Sequence, residues 1–445
     1  MKNYFYILFF LNLIIDTGFL HGQAQAQDQA KIVAVGEASK VKDKILFDFY
    51  VCAKSNPNLA VAKEIREIMR NDFSFYRHIY SIFTSDQESS FAGLVDSKYQ
   101  ALNSDQVFYW IALTCDGSKL NLVAFNVRER KEIFRQVISN PSSDRSFVHK
   151  LSDGLFKAIA KRNSVFLSKV VFSAAEVWGP RKSMKEIYTM DFDGFNMKKI
   201  TNHKGIAISP AFSPDNNKII YSLIDSKSRI KNVALHEFNL LTGKSIKVSD
   251  KVGINSGAIY TSDGRGVYFT LSYRGNADIY HLDLGTKLER QITNNRAEDV
   301  DPSITSDGRL LTFLSNRPGN AHVYTLNPSG MESQVNRVSF VGQFNATPRF
   351  SPDGKEIIFS SWVDQGFDLY RLSISGNSLI RLTKNFGSNE DPSFSPDGEF
   401  IVFTSKRNGR GVDPDQKIYI MNRDGDILGA LTPKMPLCTS PRFSN

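Results

Sequence analysis

Pro348-Arg349-Phe350-Ser351-Pro352-Asp353-Gly354 and Pro392-Ser393-Phe394-Ser395-Pro396-Asp397-Gly398 are two copies of one phrase, and Pro210-Ala211-Phe212-Ser213-Pro214-Asp215 is a third. Weaker copies, without the second proline, are Ile259-Tyr260-Thr261-Ser262-Asp263-Gly264 and Ser303-Ile304-Thr305-Ser306-Asp307-Gly308. With Ser213, Ser262, Ser306, Ser351 and Ser395 as anchors, the phrase recurs every 44 to 49 residues. Each anchor leads into a strand-like run such as Ile219-Ile220-Tyr221-Ser222 or Ile401-Val402-Phe403-Thr404. A third run ends near Asp or Asn, and a fourth carries a basic residue and Thr, as in Arg290-Gln291-Ile292-Thr293. Four short strands in about 45 residues is the pattern of a β-propeller blade. The turn chemistry agrees, because proline supplies φ near −65° and glycine a positive φ for a type I turn entering a hairpin. The Asp-Gly pairs are therefore read as structural rather than as calcium ligands.

The two ends of the repeat region set the blade count. Val170-Val171-Phe172-Ser173 is a second-type strand with no first-type strand before it, and Ser440-Pro441-Arg442-Phe443-Ser444 supplies one at the C-terminal end. The expectation is a six-bladed all-β propeller over residues 166–445, its first blade completed by the C-terminal strand, so that no sheet edge stays open.

A small α/β N-terminal domain is expected over residues 27–165. Residues 31–35 and 45–51 read as strands, and Asn56-Pro57 as the N-cap and first-turn proline of a helix. That helix has Leu59, Ala62, Ile65 and Met69 on one face. Residues 107–114 and 119–126 read as a hairpin about Asp116-Gly117. Phe147, Leu151, Leu155 and Ile159, four apart, mark a final helix on the sheet.

The first 26 residues read as a secretory signal. Lys2 precedes an apolar run from Tyr4 to Ile15, and Ala24-Gln25-Ala26 is a small-residue cleavage pattern. The run is shorter than the ~20 residues a spanning helix needs, so no transmembrane segment is expected after signal removal. The three cysteines, Cys52, Cys115 and Cys438, are too odd in number for a complete disulfide framework. Cys52 and Cys115 both fall on expected strands and could pair, but buried free thiols are the favoured reading.

The net charge of +9 is spread along the chain without a basic block, which argues against a nucleic-acid partner. No Gly-x-Ser-x-Gly elbow, His/Cys metal cluster or glycine-rich phosphate loop occurs. Ser228-Arg229-Ile230-Lys231 fits Ser-x-x-Lys but falls between blade strands. No catalytic residue, cofactor or metal is expected, and binding is the favoured role.

The binding surface is expected where the residues preceding each anchor converge at the propeller's mouth: Ser209, Gly257, Asp301, Thr347, Asp391 and Ser440. Their approaches include Asn255, Ser256, Glu298, Asp299, Asn345, Asn389 and Glu390. Such a rim is rich in acids and amides and would offer acceptors to Lys, Arg or backbone amide groups of a partner. The structural alternative is that Asp301 and Asp391 cap turns before Pro302 and Pro392. Because these positions differ from blade to blade, one asymmetric protein partner is favoured over a repeated glycan or small-ligand site, or a propeller hydrolase.

A secretory signal, a small α/β domain and six such blades ending in Ser-Pro-Arg-Phe-Ser together resemble the TolB family of the Tol-Pal envelope system. The likeness covers nearly the whole chain after the signal. In the first domain it is carried by Leu46-Phe47-Asp48-Phe49, the helix after Pro57, and Gln106-Val107-Phe108-Tyr109-Trp110. It implies a non-enzymatic scaffold of the periplasm that supports outer-membrane integrity and cell division. Its propeller mouth would bind the lipoprotein Pal. Its mature N-terminus would bind TolA, through residues 27–39 and in particular Lys31, Ile32 and Val33, and other outer-membrane or periplasmic proteins would be further partners. Residues 31–35 read equally as a strand that joins a partner's sheet or as an ordinary first strand of the α/β domain. Mass spectrometry of exported protein should find a chain beginning near Gln27; an intact Met1 would contradict the signal reading.

Overall fold

The computed structural model describes residues 42–50, 56, 58–87, 95–116, 118–177, 184–225, 232–331, 334–407, 416–435 and 437–445. The signal sequence, Lys31, Ile32, Val33, Cys52, Pro57, Gly117 and Ser228-Arg229-Ile230-Lys231 lie outside the described residues. No helix among the described residues is long and apolar enough to cross a membrane.

The N-terminal region is α/β. Strands β1 (Asp43–Tyr50), β2 (Tyr80–Gln87), β3 (Val107–Asp116), β4 (Lys119–Asn126) and β5 (Lys131–Ile138) form one sheet in the order β2-β1-β3-β4-β5. β1 runs parallel to β2 and β3, whereas β3, β4 and β5 are antiparallel. Period-two alternation along β3 decides which helix each face receives. Ile111 and Leu113 face α1 (Leu59–Ser74) and α3 (Arg145–Ala160), while Trp110 and Ala112 pack with Tyr99 and Leu102 of α2 (Val95–Ser104). The apolar faces read from the sequence are thus core. The helix start differs: α1 has Asn58 at its N-cap, without a side-chain cap bond, and Asn56 Oδ1 instead accepts the Asn58 N–H at 2.9 Å. Cys115 is disulfide-bonded, which corrects the free-thiol reading for that residue. Cys438 is fully buried, its thiol donating to the Met435 carbonyl at 3.6 Å.

The rest of the described chain has the β-propeller architecture. Four four-stranded sheets span residues 255–291, 299–337, 345–381 and 388–430. An eight-stranded sheet holds β6 (Lys169–Val177), β7 (Met184–Asp191), β8 (Lys198–Lys199), β9 (Ile206–Phe212), β10 (Lys218–Ile224), β11 (Val233–Asn239), β12 (Lys244–Ser249) and the last strand, Thr439–Phe443. Its two halves meet through one residue pair, Lys185 with Ile206. The second strands carry a fully buried aromatic at matching places: Phe172, Tyr221, Phe269, Phe313, Phe359 and Phe403. Apolar clusters bridge successive sheets. The 388–430 sheet packs through Phe400, Val402, Ile418 and Ile420 into the cluster of Val170, Phe172 and Phe443.

The repeat phrase is a hydrogen-bonded device. Ser213 N–H donates to the Lys218 carbonyl, Lys218 N–H donates back to Ser213 Oγ, and that hydroxyl donates to Asp215 Oδ1. Ser351 and Ser395 do the same with Glu356 and Phe400. In the two weaker copies the hydroxyl belongs to Thr261 and Thr305, one residue before the serines read as anchors, and Ser262 and Ser306 take the place of proline. Ser444 and Lys169, 275 positions apart, exchange the same two bonds, at 2.8 and 2.9 Å. The last strand pairs antiparallel with β6, Arg442 opposite Val171 and Phe443 opposite Val170. Removing residues 441–445 should lower the melting temperature by roughly 10 °C, since loss of the buried Phe443 ring alone costs about 3–5 kcal/mol. Melting at the full-length temperature would contradict this.

Candidate functional site

The six positions found by counting back from the turn hydroxyls share one backbone state. Ser209, Gly257, Asp301, Thr347, Asp391 and Ser440 have φ of 52°, 64°, 57°, 49°, 54° and 53°. Each lies within a register shift in the first strand of its unit. A left-handed residue in a bulge breaks the ladder and re-aims its side chain, and the following proline of five copies has no N–H to leave unpaired there. At Gly257 a Cβ would stand in ordinary van der Waals contact with the next unit, 3.5 Å from Cα and Oδ1 of Asp301. The bulges therefore bring one residue from each inner strand towards its neighbours.

Charges at this level are compensated within the molecule. Asp301 Oδ1 accepts from the Arg349 guanidinium at 2.7 Å, and the Arg442 guanidinium stands 3.9 Å away. Asp391 Oδ2 accepts from the Ser440 N–H at 3.0 Å and from its hydroxyl at 3.3 Å. Thr347 and Ser360 hydroxyls are 3.3 Å apart. Lys185 Nζ donates to Thr439 Oγ1 at 3.2 Å. Burial pushes Asp391 up, with Asp301 adding to the effect and the Ser440 and Arg349 contacts opposing it. Burial, then the Asp391 charge, pushes Glu390 up to about 7. Burial, then the Arg349 charge, pushes Arg442 down to about 9. Burial also lowers Lys185, against the attraction of Asp391 and Glu390.

The repulsion among Asp301, Glu390 and Asp391 is offset by Arg349, Arg442 and Lys185. The amides that approach the rim are also structural. Asn255 is fully buried, accepting from Ser249 Oγ at 2.6 Å and donating to the Val233 and Lys251 carbonyls. It holds the chain rather than offering a surface, as do fully buried Asn345 and Asn389. Asp299 is fully buried against the Arg317 guanidinium. What remains partly open is Ser209, Ser256, Glu298, Asp301, Thr347, Glu390, Asp391 and Ser440, with Gly257 buried among them. The signal for the missed arginines was present: after the proline, Ala211, Ser303 and Ser393 are small where Arg349 and Arg442 are not.

Comparison with known proteins follows the same outline. A family described as the TolB beta propeller domain matches residues 156–365 and 342–445. A Protein TolB homolog of Chlorobium chlorochromatii is 30% identical over 282 residues, 61% of either chain. A Tol-Pal system protein TolB of Rickettsia prowazekii is 28% identical over 231 residues, 50% of this chain and 51% of that one. The chain thus spans between half and two-thirds of the length of these curated relatives. The crystal structure of TolB from Acinetobacter baumannii has a TM-score of 0.72 at 22% identity, covering 92% of this chain and 98% of that one, and shows the shared fold.

Glu390 gives the site a pH signature. Its raised value means that the folded chain keeps a proton that the unfolded chain has lost, so its contribution to stability falls as pH rises from 4.5 to about 7. Glu390→Gln should leave the melting temperature at pH 5 nearly unchanged and raise stability at pH 8 by roughly 1–2 kcal/mol. Equal shifts at both pH values would contradict the assignment.

Proposed function

The chain belongs to the TolB β-propeller family, and from that premise we propose that it is a non-enzymatic docking protein of the Tol-Pal envelope system, working in the periplasm. In this reading residues 27–165 and 166–445 are the two domains of the mature chain. The propeller has six blades, closed where the last strand joins β6; the bond exchange between Ser444 and Lys169 supports closure. The propeller receives the lipoprotein Pal at the level of the inner-strand bulges. The mature N-terminal segment, including Lys31, Ile32 and Val33, engages TolA, and together these contacts support outer-membrane integrity and cell division.

The observation that carries the reading is the inequality of six equivalent positions. Ser209, Gly257, Asp301, Thr347, Asp391 and Ser440 share one backbone conformation yet present a different chemistry at almost every step. A repeated small ligand would be served by a repeated side chain, whereas one asymmetric protein surface is served by a varied set. The charged members are already held by Arg349 and Ser440, so the surface is ordered before a partner arrives, which limits the entropy lost on docking.

The test uses the purified periplasmic domain of Pal. Asn keeps the positive φ that Asp301 and Asp391 adopt, since Asn tolerates the left-handed region. Asp301→Asn with Asp391→Asn should weaken Pal binding by about 30-fold, the equivalent of ~2 kcal/mol. A folded double variant that binds as tightly as the parent chain would overturn the docking assignment.

A further inference from the structure

The N-terminal region is fastened to the propeller at two polar clusters, and each contains a histidine. In one, Tyr76 donates to Asp397 Oδ2 at 2.5 Å and accepts the Val165 N–H at 2.8 Å. Beside it Glu399 receives His78 Nε2 at 3.2 Å and the Arg162 guanidinium at 3.0 Å. The other cluster is centred on His149 of α3, which is 2% exposed. Its Nδ1 lies 3.0 Å from Asp72 Oδ2 of α1, and its Nε2 lies 3.7 Å from Asp193 Oδ2 in the turn after β7. Asp72 is fully buried. The Arg145 guanidinium also grips Asp193 and stacks over Phe195 at 3.8 Å, and the Phe192 ring closes the side, 5.2 Å from the imidazole.

An imidazole with a carboxylate at each nitrogen is satisfied only as the cation. The neutral ring has one donor and one acceptor nitrogen, so one lone pair would face a carboxylate oxygen. His149 Nε2 is buried with no hydrogen-bond partner among the described residues, so no protein donor relieves that conflict. The ligand atoms of Asp72, His149 and Asp193 lie within 4.8 Å of one another, but a divalent cation there would face Arg145. A proton is the cation that fits.

We propose that His149 is a proton-operated latch between the two halves of the molecule: charged, it holds Asp72 and Asp193 together, and discharged, it loosens α3 from the turn after β7. Burial opposes the charge on His149, but the Asp72 hydrogen bond and the Asp72 and Asp193 charges outweigh both burial and Arg145, and raise it above 6.5. Burial likewise raises Asp72, against the hydrogen bond and charge of His149. A raised histidine contributes its stability fully below the ordinary imidazole value and loses it as pH climbs through the raised one. In the other cluster His78, Arg162 and Arg423 outweigh burial and hold Glu399 below its ordinary value, so it stays charged over the same range.

Hydrogen exchange of the full chain at pH 5.5 and 8.5, corrected for intrinsic rates, tests the latch. Protection of residues 145–160 and 191–196, relative to residues 311–326 in a remote sheet, should fall severalfold at pH 8.5. His149→Gln should abolish the difference. Asp193→Asn, which alters only the propeller's side of the cluster, should diminish it and serves if the buried variant does not fold. An equal ratio at both pH values, a loss spread evenly to the remote sheet, or a dependence undiminished in Asp193→Asn would overturn the proposal.

Discussion

The pair of hydrogen bonds between Ser444 and Lys169 is the constraint on which the propeller depends. Five other copies of that pair are made within a few residues of chain, where a Ser or Thr hydroxyl holds the turn between first and second strands. Here the two partners are 275 positions apart. A local turn organises itself, but this one forms only when the last strand has reached β6, so long-range loop closure comes before its reward. Once the pair is made, the last strand is held as the other inner strands are, and Ser440 and Arg442 stand level with Asp391 and Asp301.

The same turn device is used in a second way where the N-terminal region docks. Hydrogen bonds within the turn hold Asp215, Asp263 and Asp307 below the ordinary carboxylate value. Asp397 keeps the turn bond through one oxygen and gives the other to Tyr76, and burial there raises it instead. Glu399, two positions on, takes His78 and Arg162. A structural repeat thus supplies a docking point without a new element. The apolar part of the contact, with Phe75 5.0 Å from Phe192 and Tyr76 4.9 Å from Phe400, gives it area, while the buried charges fix its geometry.

Much of this was legible in the chain because propeller repeats are local. Turn hydroxyl, aspartate and glycine are fixed by one hairpin's backbone, so their spacing survives in the letters. The inner-strand positions were legible for the same reason: four residues before each turn hydroxyl the chain meets its bulge, whatever the side chain. The anchors slipped by one residue in the two weaker copies, because Thr and Ser stand side by side there and only the hydrogen bond tells them apart. What the letters did not yield is whatever depends on the facing unit. Arg349 and Arg442 become partners of Asp301 only through the approach of inner strands. Asn255 looks like a rim amide until its burial against β11 is known. β2, α2 and β5 have mixed patterns, since β2 and β5 are sheet edges with one exposed face.

Hydrogen exchange across the whole chain, with and without the purified periplasmic domain of Pal, tests the central claim most directly. The account predicts new protection centred on the inner-strand bulges around residues 257, 301, 347, 391 and 440, with little change in the fourth strands such as Lys244–Ser249 and Glu289–Gln291. Protection confined to those outer strands, or to the N-terminal α/β region, would contradict it.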